Sequence, residues 1–188
     1  MWNMLASHLK GDAHVLAYLP DIMSMRDDPS ELVRFRVALC MDSALDSQTG
    51  DDEKASSLRQ LLDLASSGES SGIRSHALSA MGRAIGNDPS NAAVRSFLPK
   101  LMAYLDEDDP EIKSAVLDSW WTVTAADPTN QETLSYLPKV AEYFTHPSLL
   151  LAGPAMMGFE AAYKANPSDP TVRRYYNAYL EVLKKHAK

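Results

Sequence analysis

Apolar residues recur along this chain at helical spacing, and whole blocks of them recur again every 39 or 40 positions. Phe97-Leu98-Pro99-Lys100-Leu101 returns as Tyr136-Leu137-Pro138-Lys139-Val140, and Tyr18-Leu19-Pro20-Asp21-Ile22 carries the same pattern near the start. Leu58 and Tyr175 extend the column, whose members stand at 18, 58, 97, 136 and 175. Asp88-Pro89-Ser90-Asn91, Asp127-Pro128-Thr129-Asn130 and Asn166-Pro167-Ser168-Asp169 keep the same offset. Leu39, Leu78, Leu117 and Met156 form a second apolar column, beside a smaller one of Ala38, Ala77, Val116 and Ala155. Leu62, Leu101, Val140 and Tyr179 are each followed three residues later by Ala65, Tyr104, Tyr143 and Val182, which is the period of a helix and not of a strand. A repeat of this length predicts stacked helical units, each shielding the apolar side of the next.

Each unit reads as a helical hairpin. The spacing predicts helices over 2–9, 13–26, 30–46, 53–66, 71–86, 90–105, 111–125, 129–144, 149–165 and 168–186. First helices follow acidic or proline-containing turns such as Asp27-Asp28-Pro29 and Asp109-Pro110, where carboxylates meet the positive helix end. Ser90, Thr129 and Ser168 are the expected N-caps of the second helices. Gly68 and Gly72 mark the loop over 66–72, a turn within the repeat and not a domain boundary. Pro99 and Pro138 leave two readings open: a proline inside a continuous helix costs roughly 3 kcal/mol and kinks it, or the helix starts near each proline.

Asp28-Pro29-Ser30-Glu31-Leu32-Val33-Arg34, Ile73-Arg74-Ser75-His76-Ala77-Leu78 and Asp109-Pro110-Glu111-Ile112-Lys113-Ser114-Ala115-Val116-Leu117 resemble the HEAT-repeat motif. The resemblance covers most of 13–186. It implies an all-α, right-handed α-solenoid (α-α superhelix) of about five two-helix units, over 1–27, 28–67, 68–106, 107–145 and 146–188, forming one domain. Leu150-Leu151 lacks the basic residue of the motif, and Pro154 is expected to interrupt its helix. In this family the second helices line a concave binding face, which here implicates Arg95, Lys100, Lys139, Glu142, Arg173, Arg174 and Asn177. The family's usual role is protein binding.

Composition narrows the picture further. The 188 residues carry 18 Lys+Arg and 25 Asp+Glu, a net charge of −7, with 45% hydrophobic residues. Those values exclude an acidic disordered tail. Residues 1–94 hold 8 bases and 13 acids against 10 and 12 in 95–188, so acidity leans to the first half. Residues 1–10 contain no basic leader, and a cytoplasmic protein without membrane segments is expected. Cys40 is the one cysteine and reads as a small buried hydrophobe. Asp106, Glu107, Asp108 and Asp109 form an acidic rim able to meet a basic protein partner, although a solvated, helix-capping turn is the blander reading. His8, His14 and Asp12 lack the company a zinc site needs, and no metal or cofactor is expected. Trp120 shares a column with Asp42, Met81 and Phe159 and reads as core. Trp121 shares one with Ser43, Gly82 and Glu160 and is either an interface anchor or a filler opposite Gly82. Adjacent Tyr175 and Tyr176 cannot both point fully inward. The expected function is a non-enzymatic protein-binding adaptor or stoichiometric inhibitor of the immunity-protein kind. The alternative is a nucleic-acid binder or a DNA-glycosylase-like enzyme using Asp118, Trp120, Trp121 and Arg95, a reading that net negative charge opposes.

Overall fold

The computed structural model describes residues 17–45, 48, 50–66 and 68–186. The expected helix over 2–9, the start of that over 13–26, and His8, Asp12 and His14 lie outside them. The described residues are helical throughout, with no strand among them. In chain order the helices are α1 Leu19–Met23, α2 Glu31–Leu45, α3 Asp51–Ser66, α4 Ser71–Asn87, α5 Ala92–Arg95, α6 Leu98–Ala103, α7 Pro110–Ala126, α8 Gln131–Leu134, α9 Leu137–Val140, α10 Leu149–Ala165 and α11 Pro170–His186. Short 3₁₀ turns, Tyr104–Asp106 and Ala141–Tyr143, follow α6 and α9. The long helices α2, α4, α7 and α10 pack in sequence, α2 on α4, α4 on α7 and α7 on α10. One continuous core runs from Val37 to Val182.

The proline question is settled by a break. A helix running through Pro99 would drive the ring against the Arg95 carbonyl. The chain instead stops at Arg95, turns through Ser96 and Phe97, and restarts at Leu98 with Pro99 in the first turn, where no N–H is missed. Pro138 and Pro20 sit identically in α9 and α1. The residue before each restart, Tyr18, Phe97 or Tyr136, holds φ of −88°, −87° or −85°. Ser96 Oγ donates to the Ala93 carbonyl (2.7 Å) and Ser135 Oγ to the Glu132 carbonyl (2.6 Å), satisfying groups near the interruption. The helices expected over 90–105 and 129–144 are therefore each two short helices.

The caps lie one residue beyond Ser90, Thr129 and Ser168. Asn91 accepts from the N–H groups of Ala93 and Val94, Asn130 from that of Thr133, and Asp169 from those of Thr171 and Val172. Each Asx-Pro-Ser/Thr-Asx segment closes a tight turn, with the N–H of Asn91, Asn130 and Asp169 bonded to the carbonyls of Asp88, Asp127 and Asn166. The serine or threonine is enclosed in that turn, and the next residue is the first with the extended backbone a cap requires: ψ is 108° at Asn91 and 116° at Asn130.

The core columns follow the repeat closely. Ala38, Ala77, Val116 and Ala155 are all fully buried, as are Met81, Trp120 and Phe159. Glycine sets how closely the long helices approach. A Cβ on Gly82 would collide with Ser119, and one on Gly158 with the Trp120 ring. Trp121 therefore does not fill the space opposite Gly82; Ser119 does. Pro154 does not interrupt α10, which is continuous from Leu149 to Ala165. The Leu150 carbonyl, four residues back and deprived of its helical N–H, accepts instead from Ser114 Oγ of α7 (3.3 Å).

Candidate functional site

A ladder of side-chain bonds joins neighbouring units, and it takes up much of the charge that the sequence left free for binding. Arg34 grips Glu69 through Nε (2.6 Å) and Nη2 (2.9 Å), and one repeat later Arg74 grips Glu107 (2.5 Å). The Glu69 carboxylate raises the Arg34 pKa through this hydrogen bond. Lys54 meets Asp88 (2.6 Å), and that bond, with a further one from Asn91, holds the Asp88 carboxyl below its usual range. Ser71 bonds to Asp109, and Gln131 donates to Asp169 (3.0 Å), each lowering the carboxylate's pKa. These bonds span 33 to 38 residues, near one repeat.

The acidic rim is drawn into the same ladder. Asp109 caps α7 by accepting from the N–H groups of Glu111 and Ile112, and Glu107 is held by Arg74. Asp106 pairs with Lys139 (2.7 Å), joining a member of the rim to a cation assigned to the second-helix surface. Asp108 remains exposed.

Arg95 is buried, with 9% of its surface exposed, and its guanidinium bonds to Glu132 (2.8 Å), Asn130 (2.6 Å), Thr133 (3.3 Å) and the Pro89 carbonyl (3.4 Å). It clamps α5 to α8, and its burial among these partners takes it out of the exposed binding surface. Lys100 is exposed, its ammonium 4.7 Å from the centre of the Phe97 ring. Glu142, Arg173, Arg174 and Asn177 are exposed, and Arg174 lies 5.7 Å over Tyr175. Tyr175 and Tyr176 are both half-buried, Tyr176 stacking on Tyr163 at 4.4 Å. Trp121 is half-buried. Trp120 is core, its indole N–H donating to the Thr133 carbonyl (3.1 Å), so Trp120 and Arg95 converge on Thr133 as a packing joint. Asp118 is half-buried, which raises its pKa, and stands two residues, about 200°, around α7 from Trp120. Cys40 is half-buried, and burial pushes its thiol pKa up.

Asp51-Asp52-Glu53, an acidic run that the sequence places in a turn of the rim, instead opens α3, where Asp52 and Glu53 are exposed together with Asp63, which the sequence did not single out. The signal for Asp63 was the acidic bias of the first half. Among the described residues no group of three or more His, Cys, Asp or Glu could hold a metal ion, and no helix is long and apolar enough to cross a membrane. Compared with family models, curated proteins and solved structures, the chain gives no match.

The Asp42 column position carries an electrostatic cluster in place of an apolar side chain. Arg83 holds Asp42 through two bonds, of 2.5 and 3.2 Å. His76 Nε2 is buried, has no hydrogen-bond partner, and lies 3.9 Å from Asp42 Oδ2, beyond bonding distance. Burial is the largest influence on His76 and lowers its pKa below 6.5; nearby Asp42 opposes this and Arg83 adds to it. A depressed pKa means that the folded state resists protonation. The neutral ring's contribution is thus fully present above pH 6.5 and lost as the pH falls through the lower, folded-state value. Stability measured by urea unfolding should fall more steeply below pH 6.5 for the native chain than for His76→Phe, and parallel profiles would refute the assignment.

Proposed function

We propose that the chain is a HEAT-like α-solenoid and acts as a non-enzymatic scaffold that binds one protein partner across its second helices. The observation that carries this reading is the ladder from Arg34–Glu69 to Gln131–Asp169, which ties each unit to the next at close to the repeat spacing. A frame braced in this way presents exposed side chains at fixed separations, which lowers the ordering cost of binding. The exposed charges differ along it. α3 offers Asp52, Glu53 and Asp63, whereas α11 offers Arg173 and Arg174, with Lys100 and Glu142 between them. The partner that fits is a protein with a basic patch meeting α3 and an acidic patch meeting α11. The net charge of −7 favours its basic side and speeds encounter with it. An adaptor or a stoichiometric inhibitor of a basic protein has these properties.

The test is affinity capture at physiological salt with the whole chain as bait, compared with Arg173→Glu/Arg174→Glu and Asp52→Lys/Asp63→Lys. Each pair should weaken capture of the same protein by about tenfold or more. Melting temperature should hardly change, because all four side chains are exposed. Capture that disappears on nuclease treatment, or that both charge reversals leave intact, would overturn the reading.

A further inference from the structure

The cleft between α1 and α3 holds about 350 Å³ beside the first turn of α3. Leu19, Pro20 and Met23 of α1 form an apolar wall, and Gln48, Glu53 and Ser57 line the other side. Glu53 is exposed, and among the described residues it is the one charged side chain lining the cleft. Gln48 is buried, with 8% of its surface exposed. Its Nε2 donates to Ser57 Oγ (2.9 Å), which ties the amide to α3, but its Oε1 has no hydrogen-bond partner. A buried oxygen without a donor destabilises the free chain, and a donor brought to it recovers that loss. Stacking of the units does not ask for a buried amide: the same position one, two and three repeats on holds exposed Asn87, then Ala126 and Ala165.

These parts suit one kind of side chain. The unmet oxygen needs an N–H or O–H, the carboxylate needs a cation, and the apolar wall needs methylenes. An ammonium is a compact point charge. A guanidinium sends planar N–H groups in several directions from one apolar stem, so that one edge can meet Glu53 while another reaches the amide below it. The terminal torsion of a glutamine is broad, and a turn about it brings Oε1 to the incoming N–H. Asp52 and Glu53, exposed on the same turn of α3, draw positive charge to the mouth of the cleft.

Resting on the scaffold reading above, we infer that this cleft is the anchor pocket for an arginine side chain of the protein partner. The stem lies against Leu19, Pro20 and Met23, and Glu53 and Gln48 hold the guanidinium. The probe is Nα-acetyl-arginine methylamide, titrated into the full chain and followed by the backbone amide signals of Met23 and Ser57 in NMR spectra. It should shift both saturably in the millimolar range. Glu53→Gln and Gln48→Met should each weaken its binding at least about fivefold, and the lysine analogue should bind the native chain less tightly by a similar factor. Both variants should melt as the native chain does, because Glu53 is exposed and the Gln48 amide is only half satisfied. In affinity capture the same two variants should weaken retention of the partner about tenfold or more. Capture undiminished in either variant, cleft signals that the arginine probe leaves unmoved, or a preference for the lysine or aspartate analogue would each overturn the pocket and leave the scaffold standing. Failure to capture any protein would instead strike the scaffold reading, and the partner's arginine with it.

Discussion

Gly158→Ala should cost about 3 kcal/mol of folding free energy, while Gly153→Ala, on the same helix, should change it by less than about 1 kcal/mol. The two glycines differ in what lies above them. The added methyl at 158 would enter the space of the Trp120 ring, and that ring has nowhere to go. It is fully buried, and its indole N–H is fixed to the Thr133 carbonyl. The helices α7 and α10 must then separate, opening the packing of both. At 153 the methyl meets no neighbouring helix, and the helix propensity that it adds is offset by its crowding against the ring of Pro154, the next residue. Urea unfolding at neutral pH measures both. The loss at 158 corresponds to a melting temperature lower by about 6–12 °C for a chain of this size. Equal effects at the two positions would mean that α10 does not lie against Trp120 as described.

Arg95→Ala should destabilise by about 2–3 kcal/mol, whereas Lys100→Ala should change stability by less than about 0.5. Removal of the guanidinium strands the groups it satisfies: Asn130, whose side chain caps α8, the fully buried Thr133 hydroxyl, and Glu132. Glu132 is partly exposed and recovers water, so the loss falls below that of a fully buried ion pair. Arg95→Lys should recover only part of it, because one ammonium cannot reproduce a fork that reaches three side chains at once. Thermal unfolding of the three variants separates a structural cation from an exposed one on the same face. An Arg95→Ala protein as stable as the native chain would return Arg95 to the set of residues free to bind a partner.

The repeat made the core legible, and the reason is physical. A residue facing a neighbouring unit must be apolar in every unit, so Met81, Trp120 and Phe159 announce each other by their offset. Breaks and caps were less visible because they depend on single backbone angles. Ser90 and Thr129 have the chemistry of an N-cap, but the tight turn encloses them and passes the role to Asn91 and Asn130. Helix starts and ends at α4, α7 and α10 lay within a residue or so of their expected places, since no proline inside them stopped the chain. Pro154 is no exception, because Ser114 replaces the bond that it removes.

The candidate site was harder to read. Arg95 and Lys139 fall on the expected helices, but their long side chains cross a unit boundary, Arg95 forward to Glu132 and Lys139 back to Asp106. Charge counting treats such residues as solvated. A usable signal was nevertheless present: Arg34–Glu69, Arg74–Glu107 and Arg95–Glu132 each set a glutamate 33 to 37 residues after an arginine. An acid slightly less than one period downstream of an arginine marks a brace between units.

The short reach of these braces also bears on how the chain is made. Bonds between units close loops of 33 to 41 residues, from Arg74–Glu107 to Arg83–Asp42. A nascent polypeptide leaving the ribosome therefore needs only about forty further residues before each newly emerged hairpin can lock onto the one already outside. Acquisition of structure during translation should advance in step with synthesis, with no wait for the C-terminus.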